Sequence, residues 1–252
     1  MHLLEPYRVS EASGVAVVAK PAGLATQAPP GIPSVEAWLR GLLPAGAYLG
    51  VPHRLDRAVS GVMLMATSPR AARQLSRQFE RRGIEKTYVA LLFPPASPAA
   101  DSVSHSLLAA GGAVVEWHNR LAKVADEPRA EVVDEATAGR DAHTRARLLG
   151  ILPSGEWLVA LQPVTGRMHQ LRVQAAARGL PVVGDDLYGA PAAKPFGPAD
   201  MPEARQRPIA LHAWRICYCD PDTQAPLAAW APLPEYWPTA AAEALAQSSG
   251  LR

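Results

Sequence analysis

The stretch Pro52-His53-Arg54-Leu55-Asp56-Arg57 sets one carboxylate between two guanidinium groups. An aspartate held ionised among cations can act as a nucleophile or a base, since both roles need the charged form. The same pattern also describes an ion pair in a surface loop, and the residues alone leave both readings open. Other chemistries find less support. No glycine-rich loop ends in Lys-Ser/Thr, no G-x-G-x-x-G follows a strand, and no serine stands in a G-x-S-x-G elbow. The histidines at 2, 53, 105, 118, 143, 169 and 212 include no i, i+4 pair and no Cys/His ligand spacing, so no metal is expected.

The charge around Asp56 is uneven. Residues 51–90 carry eight basic residues against three acidic ones, and residues 165–178 carry Arg167, Arg172 and Arg178 with no acid. Residues 120–141 reverse this, with six acids against four bases. A polyanion should meet the first two segments and not the third. Of the 25 basic residues 21 are Arg, which reads mainly as codon bias and in part as the better phosphate geometry of guanidinium. The chain has 252 residues, 48% hydrophobic and 19% charged, with a net charge of +2. That balance excludes a disordered chain, and no apolar run reaches the ~20 residues of a membrane span. No secretory signal is visible at the N-terminus. Cys217 and Cys219, two apart, fit a reducing compartment, so a cytoplasmic location is expected.

The elements that must position Asp56 follow from local patterning. Residues 15–19 and 62–66 are short apolar strands, and Lys20-Pro21-Ala22-Gly23 is a turn. Ser68-Pro69 opens a helix closed near Gly83, with Leu75 and Phe79 inward and Arg73, Arg77 and Arg81 in a stripe on another face. Residues 87–93 form a strand, 145–149 and 157–161 a hairpin, and 211–219 a late strand. Residues 165–178 read as a helix with Met168, Leu171 and Ala175 on one side. Residues 94–102 and 190–208 read as loops. Hairpin strands with few helices argue for an α+β fold with a mostly antiparallel mixed sheet flanked by helices and loops.

At this point the residues carry a resemblance. His53-Arg54-Leu55-Asp56-Arg57-Ala58-Val59-Ser60-Gly61, with the apolar run after it, resembles the H-R-L-D-x-x-T-S-G motif of the RluA-type pseudouridine synthases. Lys20-Pro21-Ala22-Gly23 resembles their K-P-x-G turn, and Lys86-Thr87-Tyr88 their K-x-Y motif. Thr165-Gly166-Arg167-Met168-His169-Gln170-Leu171-Arg172 is similar to T-G-R-T-H-Q-I-R. Gly184-Asp185-Asp186-Leu187-Tyr188-Gly189 and Leu211-His212-Ala213 resemble the G-D-x-x-Y-G and L-H-A segments. The motifs run in the family's order over about residues 6 to 235. Val59 and Met168 replace the usual threonines, and Gln174-Ala175 replaces a His-Leu pair.

The resemblance implies a pseudouridine synthase fold and the isomerisation of uridine in structured RNA, a tRNA or rRNA stem-loop. It implies no cofactor, because no redox change occurs and no group is imported. Asp56 would be nucleophile or base, with attack on ribose, attack on the base and elimination to a glycal all open. Tyr88 would lie against the uracil, and Arg172 would be the buried cation opposing Asp56. Leu171 would wall the target base, and Arg54 would fill the gap left by base extrusion or pair with a base edge. Arg167, Arg57 and the 73/77/81 stripe are phosphate candidates. His53 and Lys86 stand among the substrate-binding candidates, although His53 and His169 suit loop orientation better. The expected organisation is a single catalytic domain over residues 1–237, with no separate N-terminal RNA-binding domain, and a tail over 238–252. A monomer is expected, without membrane association. The alternative is a non-catalytic RNA-binding protein of the same fold.

Overall fold

The computed structural model describes residues 6–94, 103–189, 196–198 and 207–248. The chain packs into two compact units. The first is residues 1–86, 200–208 and 212–234; the second is residues 87–199, 209–211 and 235–252.

The first unit is built on two strands whose residues are all buried, β2 (Val15–Lys20) and β3 (Ser60–Ala66). Their continuous apolar runs suit strands covered on both faces, because side chains alternate between the two sides. The strand order is β1 (Tyr7–Ala12), β2, β3, β9 (Leu211–Cys219), with β10 (Pro226–Trp230) on β9. Pairing is antiparallel except between β3 and β9. Ser13 and Gly14, both with positive φ, make the two-residue turn joining β1 to β2.

One face of these strands (Val15, Val17, Ala19, Val62, Leu64, Ala66, Ile216) meets Ala71 and Leu75 of α2 (Pro69–Glu80). Each fully buried Val, Leu or Ile there contributes about 1.5–3 kcal/mol. Ser68 caps α2 by accepting the Ala71 N–H, with Pro69 in the first helical turn, as the sequence predicts. The C-terminus differs in detail. Gly83 N–H donates to the Gln78 carbonyl and Arg82 N–H to the Phe79 carbonyl, and the left-handed residue is Arg82 at φ 57, not the glycine. A second helix, α1 (Val35–Leu42), is capped by Ser34 and buries Val35 and Leu39. Its sequence is too short and mixed to stand out as periodic.

The second unit holds the antiparallel order β4 (Glu85–Leu92), β8 (Trp157–Pro163), β7 (Arg140–Ile151), β5 (Val115–Lys123), β6 (Ala130–Val133). Across this face lies α4 (Gln170–Ala176), whose Val173 packs with Leu121, Ala130 and Ala142. The helix predicted over 165–178 is therefore shorter. His169 sits in the left-handed region at φ 51 and residues 165–169 are non-helical, with a turn at 168–169, so Met168 points outward at 39% exposure instead of joining Leu171 and Ala175. Within the tail over 238–252, Thr239–Gln247 form a terminal helix, α5, which buries Ala241 and Leu245 and packs on β7. The helix α3 (Val103–Ala109) completes the elements. Most of the two predicted loops, 95–102, 190–195 and 199–206, lies outside the described residues. Among the described residues no helix is long and apolar enough to cross a membrane.

Candidate active site

Asp56 lies in the first unit, half-buried, on the loop entering β3. The backbone on either side of it is pinned. The Thr26 hydroxyl donates to the Leu55 carbonyl and accepts the Leu55 N–H. The Arg57 carbonyl accepts from Gly23 N–H at 2.8 Å and from Lys20 Nζ at 3.2 Å. Val59 N–H closes the turn onto the Asp56 carbonyl. Lys20 Nζ also donates to the Pro21 and Leu24 carbonyls. Lys20 is only 2% exposed, so it acts beneath the loop and not on its surface. Burial pushes the Lys20 ammonium down to about 7, while the charge of Asp56 pulls it up and that of Arg57 lowers it further.

The Ser60-Gly61 and Leu211-His212-Ala213 motifs meet here. Ser60 pairs with His212 and Gly61 with Ala213 across parallel β3 and β9. A carbonyl only accepts, so the 3.0 Å contact from His212 Nε2 to the Ala231 carbonyl puts the proton on Nε2. Nδ1 then accepts the Ser60 hydroxyl at 2.8 Å. Burial lowers His212 to about 4, which keeps it neutral. Gly61 has φ +126, and a Cβ there would stand 2.3 Å from the Ala213 carbonyl oxygen, so no side chain fits.

His53 is likewise committed. Its Nε2 accepts the Leu64 N–H at 2.9 Å, and its ring lies 4.7 Å from that of Phe79. Burial and the charge of Lys86 lower it to about 3. Lys86 Nζ lies 6.0 Å from the Phe79 centroid, and burial lowers its pKa. Arg54 and Arg57 are exposed, as are Arg73 and Arg77 on α2 and Arg81 at its C-cap.

The remaining predicted residues lie in the second unit. Tyr88, half-buried, pairs with Leu161 in β4 and β8. Leu171 and Arg172 are each 7% exposed on α4. The Arg172 guanidinium grips Asp185 through two bonds, Nε at 2.6 Å and Nη2 at 2.7 Å, and lies 5.0 Å from the Tyr188 ring. The resemblance implies Arg172 as the cation opposing Asp56; within its own unit the arginine is in a bidentate pair with Asp185, itself 1% exposed. The Tyr188 hydroxyl accepts the Ala130 N–H and bonds His169 Nδ1. Arg167 Nε donates to the Asp141 carbonyl.

Neutral amides hold this segment. Gln170 Oε1 accepts from the Thr165 hydroxyl and Arg167 N–H, while its Nε2 donates to the His143 carbonyl and Thr144 Oγ1. Thr144 in turn donates to Gln174 Oε1, whose Nε2 reaches the Trp117 and Ala142 carbonyls and Asn119 Oδ1. Sequence reasoning missed the roles of Thr26, Thr144 and Gln174. No motif marks them, because the partners of each lie far away in the chain.

Residues 14–177 match the family described as RNA pseudouridylate synthase. The chain belongs to this family. The synthase is 32% identical over 216 residues to the protein named dual-specificity RNA pseudouridine synthase RluA from Yersinia pestis, covering 84% of this chain and 92% of that one. It is 37% identical over 162 residues to the protein of the same name from Escherichia coli (strain K12), covering 64% and 67%. Among solved structures, human RNA Pseudouridylate Synthase Domain Containing 1 matches with TM-score 0.67 and 25% identity, covering 93% of the synthase and 86% of that chain. The synthase is thus an RluA-type isomerase acting on RNA uridine, with the α+β fold of its family.

Proposed function

We propose that the synthase converts specific uridines in a tRNA or rRNA stem-loop to pseudouridine, with Asp56 as nucleophile or base. The observation that carries this reading is the Asp56 loop. Its backbone is tied on both sides by Thr26, Lys20 and Gly23, while the flanking Arg54 and Arg57 side chains are exposed. A carboxylate so placed meets a polyanion without moving, and positioning of this kind lowers the barrier by avoiding reorganisation.

The reaction breaks the bond from ribose C1′ to uracil N1 and forms one from C1′ to C5. The C5 hydrogen leaves as a proton to water, and N1 regains one, so no electrons are exchanged. The target base must first leave the stack. Arg54 fills the gap or pairs with an exposed base edge, Tyr88 stacks on the uracil and Leu171 walls it. Arg172, oriented by Asp185, supplies fixed positive charge. Arg57, Arg167 and the stripe of Arg73, Arg77 and Arg81 bind phosphates. Lys86 and His53 act from beneath, since both are engaged with Phe79 and His53 Nε2 is occupied. The free cysteines suit a reducing cytoplasm, and the protein works there as a monomer.

RNA carrying tritium on uracil C5 tests the reading. Because relatives are named for dual specificity, both tRNA and rRNA pools belong in the assay. Wild type is expected to release tritium to water and Asp56→Ala to release none while still binding RNA. Binding without release from either pool by wild type, or equal release by Asp56→Ala, overturns it.

A further inference from the structure

Paired strands β5 and β7 bring together a set of donors that the linear sequence keeps apart. His118 lies opposite His143, and Glu116 opposite Arg145. Alternate residues of a strand share a face, so Glu116, His118, His143 and Arg145 form one surface, while Trp117 and Thr144 point into the core. The two imidazoles stack with centroids 4.2 Å apart and planes 18° apart. The Glu116 carboxylate bonds His143 Nε2 and also receives Arg145 Nε at 3.3 Å. One donor atom from each of Glu116, His118 and His143 lies within 4.8 Å of the other two.

We propose that Glu116, His118 and His143 form a binding site for one divalent first-row transition ion, such as Zn2+. Two imidazoles and a carboxylate are the donor set such ions prefer over Mg2+ or Ca2+. Two donors on one tetrahedral zinc stand about 3.4 Å apart, given bonds of about 2.1 Å. Glu116 and His118 are exposed and His143 half-buried, so closing that difference is a matter of side-chain rotation at the surface. The Glu116 oxygens now holding His143 and Arg145 become ligands, and water completes the shell. The site has a route to the α4 segment. The backbone of His143 accepts Val164 N–H and Gln170 Nε2 and donates to Thr165 Oγ1. An ion joining β5 to β7 therefore braces the strand on which residues 164–170 hang.

Tag-free full-length protein titrated with ZnCl2 near neutral pH tests the site by calorimetry. One saturable site is expected, with a rise in Tm. His118→Ala and His143→Ala should each weaken binding at least about tenfold, a loss that even partners of direct ligands can cause. Arg145→Ala, which frees Glu116 of a competing cation, should tighten it. Circular dichroism confirms that the variants fold; His118 is exposed, so its replacement leaves the core intact. Amide exchange at Val164 and Thr165, whose N–H groups donate to the His143 carbonyl, should slow when zinc is bound. No saturable binding, or binding unchanged in both histidine variants, overturns the site. Zinc binding without slowed exchange at those amides overturns the brace.

Discussion

The loop bearing Asp56 and the segment bearing Arg172 are fixed by opposite means. The first is held through its backbone, by a buried ammonium under three carbonyls, a threonine hydroxyl and a parallel strand contact that admits no side chain. The second is held through side chains, by a chain of neutral amides and hydroxyls running from Thr165 to Gln174 and a bidentate ion pair. Backbone anchoring fixes the Asp56 loop through main-chain groups of Leu55 and Arg57, its chain neighbours. Side-chain anchoring makes each Gln or Thr of the α4 segment a structural part, since a buried polar group stripped of its partner costs about 1–3 kcal/mol.

The sharpest test of backbone anchoring is Gly61→Ala. With φ +126 and the Ala213 backbone 2.3 Å from the new carbon, it should cost more than about 4 kcal/mol in urea unfolding. A mild effect would mean that the β3–β9 contact does not set the loop. On the other side, Asp185→Asn leaves a buried guanidinium without its counter-charge and should cost about 3–5 kcal/mol. If the variant is as stable as wild type, the amide network alone holds the segment and the contrast narrows.

Acid should separate the two regions next. His53 and His212 have folded values of about 3 and 4 against an ordinary 6.5. Between pH 6.5 and 4 the unfolded chain therefore binds protons that the folded chain refuses. Their stabilising effect is complete above 6.5 and is lost as pH falls, at about 1.4 kcal/mol per pH unit for each histidine. Hydrogen exchange at β3 amides should accelerate before that at β8 amides; the reverse order would break the comparison. The smallest effect concerns RNA. Arg73→Ala, Arg77→Ala and Arg81→Ala should each lower the salt slope of RNA binding by about one, while Glu131→Gln in the acidic segment should leave it unchanged. A change with Glu131→Gln would place RNA on the acidic segment as well.

Much of this was legible in order of chain proximity. Ser68 and Pro69 announce α2, and the apolar runs of β2 and β3 announce strands buried on both faces. The family motifs bring out Asp56, Arg172 and Asp185, though not that Asp185 takes the Arg172 fork. The helix over 165–178 is shorter than its apolar spacing predicts because the left-handed His169 breaks the backbone that spacing presumes. Thr26, Gln174 and the Glu116/His118/His143 cluster were invisible. Their partners lie across strands or loops, and only pairing register brings them into reach.

The end of α2 sets backbone ease against charge at one residue. A left-handed arginine at 82 carries a strain of about 1–2 kcal/mol that glycine would not. Yet the same position extends the run of exposed cations beyond Arg81. Variants chosen for heat resistance would drift toward glycine there, and those chosen for polyanion affinity would keep the charge. A thermostability campaign on this enzyme that ignores substrate binding would thus discard, one neutral-looking turn at a time, part of the surface proposed to meet RNA.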